Sequence, residues 1–206
     1  MRRAKRASEV GTTFEAEARA RGFCFVAGLD EVGRGALAGP VVAAAVILDP
    51  EAALPEGLDD SKRLSAPQRE RISAELRATA LAYAVGEVAA DEIDRTNILI
   101  ATRRAMCNAL ARLAPAADFL LIDALQLKES ALPQRSIIRG DSISASIAAA
   151  SVIAKIYRDN LMAELDQIYP AYGFAKHVGY GTKAHFEAIR RHGACPLHRQ
   201  TFRGVL

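Results

Sequence analysis

The chain has 206 residues, half of them hydrophobic and a quarter charged, with a formal net charge of +3. A chain of this length can bury one substantial core, and no apolar run reaches the roughly 18 residues that cross a bilayer. No apolar segment of a secretory signal follows the basic N-terminus, and the 3 cysteines are widely scattered. We therefore expect a cytoplasmic globular protein without membrane contact or a disulfide framework.

The first half of the chain alternates apolar runs with loops, after a basic segment of about residues 1–12 that we predict to be a mobile tail. The predicted elements are a short helix over 14–21, strands over 23–29 and 41–48, a helix from about Pro67 to residue 80, and a strand over 83–88. The first two strands are too continuously apolar to be half exposed, so we expect both to be buried. Gly86 is a candidate bulge in the third strand.

The second half of the chain interleaves strands with helices. We predict helical structure over 90–113 in one or two pieces, strands over 118–123 and 135–139, a long helix from near Asp141 to about residue 168, and a helix over 183–192. Strands first, then strands interleaved with helices, indicate an α/β layered domain. The segment beyond residue 175 is basic, as expected where phosphates are held.

Four acidic residues lie where apolar elements stop: Asp30, Glu31, Asp123 and Asp141. A carboxylate in that position lies at the rim of a sheet, where the ligands of open α/β sheets bind. Several carboxylates at one edge repel one another unless cations are bound, and Mg²⁺ or Mn²⁺ are the ions that prefer oxygen ligands. Two such ions can activate a water molecule and stabilise the leaving oxygen of a phosphodiester.

Each of these acids also has an interpretation without metal. Asp141 follows a glycine and could be the N-cap of the long helix, Asp123 could be a turn residue, and Asp30–Glu31 could be a solvated pair. Neighbours on a regular strand point to opposite faces, so Asp30 and Glu31 can serve one site only if the strand has ended or twisted. The glycine-containing loop that follows makes this possible.

That loop carries Gly33, Gly35 and Gly39 around a single arginine, Arg34. A dinucleotide-binding loop has similar glycines, but its last glycine opens a helix, whereas Pro40 and a β-branched run follow here. We therefore reject the dinucleotide-binding alternative. The glycines are typical of backbone exposed for the close approach of a ligand, and they are also compatible with a tight hairpin connection.

All four histidines lie near the C-terminus, where Cys195 and His198 have the C-x-x-H spacing of a zinc site and His185 and His192 would share a helix face. No second knuckle completes a zinc pattern. The basic side chains among these histidines favour contacts to a nucleic acid backbone instead.

Six ordered blocks of sequence together resemble one family, ribonuclease HII, the type 2 ribonuclease H, from about Phe23 to Phe202. The blocks are GLDEVGRGALAGPVVAAAVIL, LDDSKRLS, LLIDAL, RGDSISASIAAASVIAK, YPAYGFAKHVGYGTKAHFEAI and PLHRQTF. The resemblance implies a ribonuclease H-like mixed β-sheet flanked by helices, with an additional C-terminal helical region. It also implies a single catalytic domain over 1–206, in which residues from about 170 to 206 bind substrate.

The resemblance assigns functional residues as well. The metal-binding and catalytic carboxylates of the family match the four acids: Asp30, Glu31, Asp123 and Asp141. The substrate contacts of the family match a second set: Gly33, Arg34, Gly35, Lys62 and Tyr180. The Gly-Arg-Gly element touches the ribonucleotide at an RNA–DNA junction, the tyrosine packs against the neighbouring deoxyribose, and the lysine is expected to contact a phosphate.

The implied activity is endonucleolytic cleavage of the RNA strand of RNA–DNA hybrids and of single ribonucleotides embedded in duplex DNA, leaving 5′-phosphate and 3′-hydroxyl ends. The implied cofactor is Mn²⁺ or Mg²⁺ in a two-metal mechanism, and we expect a monomer without an organic cofactor. Relatives often have lysine where this chain has Val178, which bears on one phosphate contact. Many relatives have glycine where this chain has Ala124, a difference that we expect to leave the metals unaffected.

Two alternatives remain at this point. The first is a type HIII-like nuclease with a different junction or metal preference. Such proteins usually have an extra N-terminal domain, for which the 22 residues before Phe23 leave no room. The second is a hybrid-binding protein without catalysis, which the retention of all four acids disfavours, because binding alone would favour lysine at such an edge.

Overall fold

A mixed five-stranded sheet forms the centre of the computed structural model, which describes residues 10–205. Residues 1–9, which make up most of the predicted tail, and Leu206 lie outside the described residues. The strands are β1 Val26–Val32, β2 Val41–Ile47, β3 Ala82–Val88, β4 Phe119–Asp123 and β5 Gln134–Ile137. Their order is β3-β2-β1-β4-β5, with β1, β2 and β3 antiparallel neighbours and with β4 and β5 parallel to β1. The predicted fold class is confirmed.

Helices cover both faces of this sheet. They are α1 Thr13–Ala20, α2 Ala66–Thr79, α3 Ala90–Arg95, α4 Ile98–Leu110, α5 Ala145–Ile168, α6 Phe174–His177 and α7 Lys183–His192, with a 3₁₀ turn at Gly140–Ser142. Helices α3 and α4 pack on one face of the sheet, and α2 and α5 pack on the other. Among residues 10–205, no helix combines the length and apolar character needed to cross a membrane.

Strand β1 differs most from its predicted position. The carboxylate of Asp118 accepts hydrogen bonds from the backbone N–H groups of Cys24 and Phe25, so the strand ladder begins only afterwards. The pairing of β1 with β2 then continues to the end of the strand. Asp30 and Glu31 therefore lie within a strand and not beyond its end, contrary to the prediction.

The helix starts follow local sequence signals, with one correction. Ser65 and Gln68 form a reciprocal capping box ahead of α2, with Pro67 in its first turn as predicted. The N-cap of α5 is Ser144, whose hydroxyl accepts from Ile147 N–H at 3.4 Å. Asp141 lies three residues earlier in the 3₁₀ turn, so it does not cap the long helix.

Two glycines allow helices to approach the sheet closely. A Cβ atom on Gly28 of β1 would lie 2.1 Å from the backbone carbon of Ser146 in α5, and one on Gly86 of β3 would lie 2.2 Å from the Ala105 carbonyl oxygen in α4. Gly86 remains in continuous register with β2. It is therefore a close-packing position and not the predicted bulge.

The segment before α1 is bonded to the start of α5. Gly11 N–H donates to the Ile143 carbonyl at 3.2 Å. From α1, the buried carboxylate of Glu15 accepts from the Ser144 hydroxyl at 2.7 Å and from Ser146 N–H at 2.8 Å. These bonds fix the segment that follows the 3₁₀ turn carrying Asp141.

Candidate active site

The parallel pairing of β1 with β4 brings the predicted acids to one edge of the sheet. Leu29 pairs with Ile122, so Asp30 and Asp123, the next residues of the two strands, lie side by side. Strand β5 runs parallel to β4, and Asp141 lies in the 3₁₀ turn after β5. Segments distant in sequence thus deliver carboxylates to the same edge.

Asp30 is buried against α5, and its pKa is raised well above the usual value. Burial is the largest cause, and the negative charges of Glu31 and Asp123 add to it, whereas hydrogen bonds from Ser151 and from the Glu31 backbone lower the pKa. The Glu31 N–H donates to Asp30 Oδ1 at 2.8 Å. The folded protein therefore holds carboxylates close enough to repel one another, and a bound cation would reduce this repulsion.

Asp123 links β4 to the turn that carries Asp141. The N–H of Gly140 donates to Asp123 Oδ1 at 2.7 Å. Burial raises the pKa of Asp123, the charges of Asp141 and Glu31 raise it further, and the Gly140 hydrogen bond and the charge of Lys62 oppose the shift. The bond to Gly140 agrees with the interpretation of Asp123 as a turn residue. The same carboxylate also interacts with the charges of Asp141 and Glu31.

Two basic side chains partly neutralise the acids. Lys62 Nζ lies 3.3 Å from Asp141 Oδ2, and Arg34 Nη1 lies 3.0 Å from Glu31 Oε1. Partial burial alone would lower the pKa of Lys62, but the carboxylates around it, with Asp60 the strongest, outweigh burial and raise the pKa. Lys62 and Arg34 therefore place two positive charges directly beside the acidic cluster.

The donor set at this edge fits a hard divalent cation, because it consists of carboxylate oxygens. Glu31 Oε2 is buried without a hydrogen-bond partner among the described residues. Within residues 10–205, no three acidic, histidine or cysteine side chains lie close enough to hold an ion as they are now placed. Lys62 pairs with Asp141 Oδ2 and Arg34 with Glu31 Oε1, so each ion pair engages one oxygen of its carboxylate.

A cleft of about 390 Å³ lies beside the acids. It is bordered by Glu31, Val32, Ser61, Lys62, Ser151, Lys155 and Tyr180. The charge of Glu31 acts on both Asp30 and Asp123. Glu31 is therefore electrostatically coupled to both carboxylates although it lies within the same strand as Asp30.

The loop of residues 33–40 between β1 and β2, here called the glycine loop, and Tyr180 form the outer wall of the same site. Gly35 is exposed, and a Cβ atom placed on it would lie 4.0 Å from the Tyr180 ring, so this position has room for contact with a ligand. Gly33 is buried with φ +88°, a conformation that favours glycine. The loop leads directly into β2, which is antiparallel to β1, so it is a hairpin connection as well and leads into no helix.

Both departures from the family pattern lie at unusual backbone positions. Ala124 and Val178 each have φ +44°, in the left-handed region. A glycine at position 124 would avoid the cost of that conformation, which is roughly 1–2 kcal/mol for a residue with a Cβ atom. Val178 is β-branched and caps α6, and its carbonyl accepts from Arg158 Nη1 at 2.8 Å. That hydrogen bond holds the residue in place.

Two of the four histidines, His185 and His198, are buried and hydrogen-bonded to each other. Cys195 N–H donates to His198 Nδ1 at 2.9 Å, so the proton of His198 is on Nε2, which donates to His185 Nε2 at 3.1 Å. His185 Nδ1–H in turn donates to the Tyr180 carbonyl at 3.0 Å. The ring nitrogens of His185 and His198 therefore bind one another and the backbone and not a metal ion. The zinc alternative therefore gains no support.

The burial of His185 predicts that the protein loses stability in mild acid. The pKa of His185 is lowered to about 4 in the folded protein, from 6.5 in an unfolded chain, and burial is the largest cause. As the pH falls below 6.5, the unfolded chain takes up the proton first, so stability that is complete above 6.5 is lost progressively towards pH 4. At pH 5 we expect the wild type to lose up to roughly 2 kcal/mol more than a His185→Gln variant. Urea unfolding of both proteins at pH 7 and pH 5 measures this difference, and equal losses would contradict the prediction.

Several residues beside the site were not picked out from the sequence. The Ser151 hydroxyl acts on Asp30 and lies 2.9 Å from the Ser61 hydroxyl. Arg158 and Arg199 are fully buried under the glycine loop. The small residues on every side of α5 hide Ser151, and arginine is ordinarily a surface residue, so no local pattern indicates these positions.

A mixed sheet in this strand order, with carboxylates at the ends of β1 and β4, places the chain in the class of ribonuclease H-like proteins. The ribonuclease HII family model matches residues 27–205. Ribonuclease HII of Geobacillus kaustophilus is 56% identical over 93% of this chain and 73% of its own length, and that of Geobacter metallireducens is 55% identical over 94% and 90%. The crystal structure of ribonuclease H2 from Pyrococcus horikoshii has a TM-score of 0.72 and 27% identity, covering 88% of this chain and 95% of that one.

The chain belongs to the ribonuclease HII family, as the sequence blocks predicted. Members of this family are metal-dependent endonucleases that act on RNA–DNA hybrids. The chain is therefore a hydrolase of the ribonuclease H type, and the alternative of a hybrid-binding protein without catalysis is set aside.

Proposed function

We propose that this enzyme cleaves both the RNA strand of hybrids and single ribonucleotides embedded in duplex DNA, by two-metal hydrolysis that leaves 5′-phosphate and 3′-hydroxyl ends. The observation that carries the proposal is the position of an exposed glycine loop next to a cluster of mutually repelling carboxylates. The loop allows contact with a ribose 2′-hydroxyl, the group that distinguishes RNA from DNA. The carboxylates lie beside the position that we propose for the adjoining phosphate.

The four acids have related roles in this proposal. Asp30, Glu31, Asp123 and Asp141 hold Mg²⁺ or Mn²⁺, which when bound neutralises charge and supplies an activated water. Among the acids, Glu31 has the buried oxygen without a partner, and Asp30 and Asp123 have raised pKa values, so a cation is favoured here over further negative charge.

The substrate contacts lie around the same cleft. The exposed Gly35 lets the loop backbone approach the ribose, and Gly33 allows the positive-φ turn that presents it. The Tyr180 ring, 37% exposed, packs against the neighbouring sugar. Lys62 and Arg34 exchange their carboxylate partners for phosphate oxygens. The region from about residue 170 onward adds sequence-independent contacts to the backbone, so binding weakens as salt rises. The partner is the nucleic acid, bound by a monomer without an organic cofactor.

One assay tests this proposal. A DNA duplex containing a single ribonucleotide is incubated with the protein and Mg²⁺ or Mn²⁺, with an all-DNA duplex and a chelator as controls. We expect a single metal-dependent nick at the ribonucleotide, with 5′-phosphate and 3′-hydroxyl ends identified by ligation. If a continuous hybrid is cut but the embedded ribonucleotide is not, the single-ribonucleotide part of the proposal is wrong.

Gly35→Ala separates recognition from folding. The added methyl group makes only an ordinary contact at 4.0 Å, so we expect stability to change by less than about 0.5 kcal/mol. It occupies the place where the ribose would lie, so kcat/KM for the embedded ribonucleotide should fall roughly 10- to 100-fold. Thermal unfolding and nicking rates measure the two effects, and an unchanged kcat/KM would place the ribose elsewhere.

A further inference from the structure

Two arginines lie completely buried beneath the glycine loop. Arg158 on α5 and Arg199 in the C-terminal segment each have 0% exposed surface. No acidic side chain within residues 10–205 forms an ion pair with either guanidinium. Burial lowers the pKa of both, that of Arg199 to about 9, helped by the charge of Arg158. A buried charge without a direct ion pair is costly, so the hydrogen bonds that these groups make must matter to the fold or the site.

Arg158 joins carbonyl groups of two separate segments. Its Nε donates to the Pro40 carbonyl at 3.0 Å, its Nη2 to the Ala38 carbonyl at 3.1 Å, and its Nη1 to the Val178 carbonyl at 2.8 Å. The first two carbonyls belong to the loop between β1 and β2, and the third precedes Tyr180 by two residues. The Tyr180 ring also lies over the guanidinium, with its centroid 5.7 Å from Cζ.

Arg199 holds the same loop from the C-terminal segment. Its Nε and Nη2 both donate to the Gly39 carbonyl, at 3.1 and 2.9 Å, and its Nη1 donates to the Arg34 carbonyl at 2.9 Å. Its backbone N–H donates to the Leu37 carbonyl at 2.8 Å. The carbonyl groups on the inner side of the loop are therefore bound by two side chains from different parts of the chain.

Two glycines of the loop make room for side chains of α5. A Cβ atom on Gly33 would lie 2.2 Å from Arg158 Nε, and one on Gly39 would lie 2.5 Å from Met162 Sδ. By contrast, a Cβ atom on Gly35 would make only an ordinary contact with Tyr180. Gly33 and Gly39 thus serve the buried side of the loop, and Gly35 serves the exposed side.

We propose that Arg158 and Arg199 are positioning residues that set the distance between Gly35 and Tyr180, and through it the preference for ribonucleotide over deoxyribonucleotide. The inference rests on the proposed function, because it assigns the 2′-hydroxyl contact to the loop and the sugar contact to Tyr180. Neither arginine reaches the substrate, since both are fully buried. They act through the loop and through the segment that carries Tyr180.

Arginine-to-lysine variants separate geometry from charge. A lysine keeps the positive charge, but its single ammonium group cannot reproduce the planar fork that bonds three carbonyls at once. Arg158→Lys and Arg199→Lys are therefore the informative changes. Arg112→Lys is a matched control, because Arg112 also donates to a backbone carbonyl, that of Val85 at 2.7 Å, on the far edge strand β3.

The readout is the ratio of affinities for a duplex with one ribonucleotide and for the same duplex in all-DNA form, measured with Mg²⁺ in an Asp30→Asn background that does not cleave. We expect Arg158→Lys to reduce this ratio at least tenfold and to change all-DNA affinity less than twofold. Arg112→Lys should leave both affinities unchanged. Combined with Gly35→Ala, Arg158→Lys should give a less than additive loss, because both act on one contact.

The outcomes separate the inference from the function on which it rests. If the protein with its native loop neither nicks nor prefers the ribonucleotide duplex, the proposed function fails. If it does prefer that duplex and Arg158→Lys keeps the preference, or loses affinity for both duplexes equally, the positioning role is overturned. Should Arg158→Lys not fold, Arg199→Lys carries the same expectation.

Hydrogen exchange of the wild type decides the matter if neither variant folds. The Leu37 N–H donates to the Gly179 carbonyl at 2.8 Å, between the loop and the segment carrying Tyr180 that Arg158 also joins. The proposal is supported if this amide is protected from exchange as strongly as the backbone amides of β2 are. Exchange through easy local opening overturns it, because the loop would not be held.

Discussion

Replacement of Asp30 by asparagine is expected to lower the rate of hybrid cleavage roughly 1,000-fold or more, because a metal-binding carboxylate is lost where charge develops. The same change should stabilise the protein in the presence of chelator, by on the order of 1 kcal/mol. Burial and the charges of Glu31 and Asp123 raise the pKa of Asp30, so its ionised form is disfavoured in the fold. Asparagine removes that charge at nearly the same volume.

Cleavage rates, hybrid affinity and thermal unfolding with chelator and with Mg²⁺ measure these effects together. The wild type should gain more stability from Mg²⁺ than the variant does, because a cation relieves the repulsion. Hybrid affinity should remain largely intact. Asp118→Asn is the matched control: its carboxylate accepts from Cys24 and Phe25 N–H at the opposite end of β4, so cleavage should not change. Turnover of Asp30→Asn within tenfold of the wild type would mean that this carboxylate binds no metal.

Replacement of Gly28 by alanine is expected to cost more than about 3 kcal/mol of stability, because the helix that follows the acidic turn packs directly on this residue. The new Cβ atom would lie 2.1 Å from the Ser146 backbone carbon and 2.3 Å from its carbonyl oxygen. Backbone cannot move aside as a flexible side chain can, so α5 must shift away from β1. Because Ser151 on α5 contacts Asp30, cleavage should fall together with stability.

Thermal and urea unfolding measure this cost, which corresponds to a decrease of the melting temperature of roughly 10 °C for a chain of this size. Gly11→Ala provides the comparison, since nothing lies within 4 Å of a Cβ atom there and its φ is not positive. We expect that control to change stability by less than about 0.5 kcal/mol. If Gly28→Ala and Gly11→Ala have the same free energy of unfolding, α5 and β1 can separate without cost.

Much of the fold could be read from local patterns. The apolar runs of β1, β2 and β4 indicate buried strands, and Ser65 with Pro67 marks the start of α2, because these signals depend on neighbours along the chain. The bounds of α7 agree with the prediction, and the division of 90–113 into α3 and α4 is one of the two alternatives that the pattern left open. The start of β1 was not, because it is set by Asp118, which lies far along the chain.

The amino-acid pattern was enough to predict the family and the chemical character of the site: four acids, a glycine loop around Arg34, and a basic C-terminal region. Three features became visible only in the folded protein: Asp30 and Asp123 are neighbours through parallel pairing, Asp141 does not cap α5, and Gly33 makes room for a buried arginine. These outcomes depend on contacts between residues remote in the chain, which form only when the whole core packs. Local propensity carries no information about such contacts, so no reading of single segments could have supplied them.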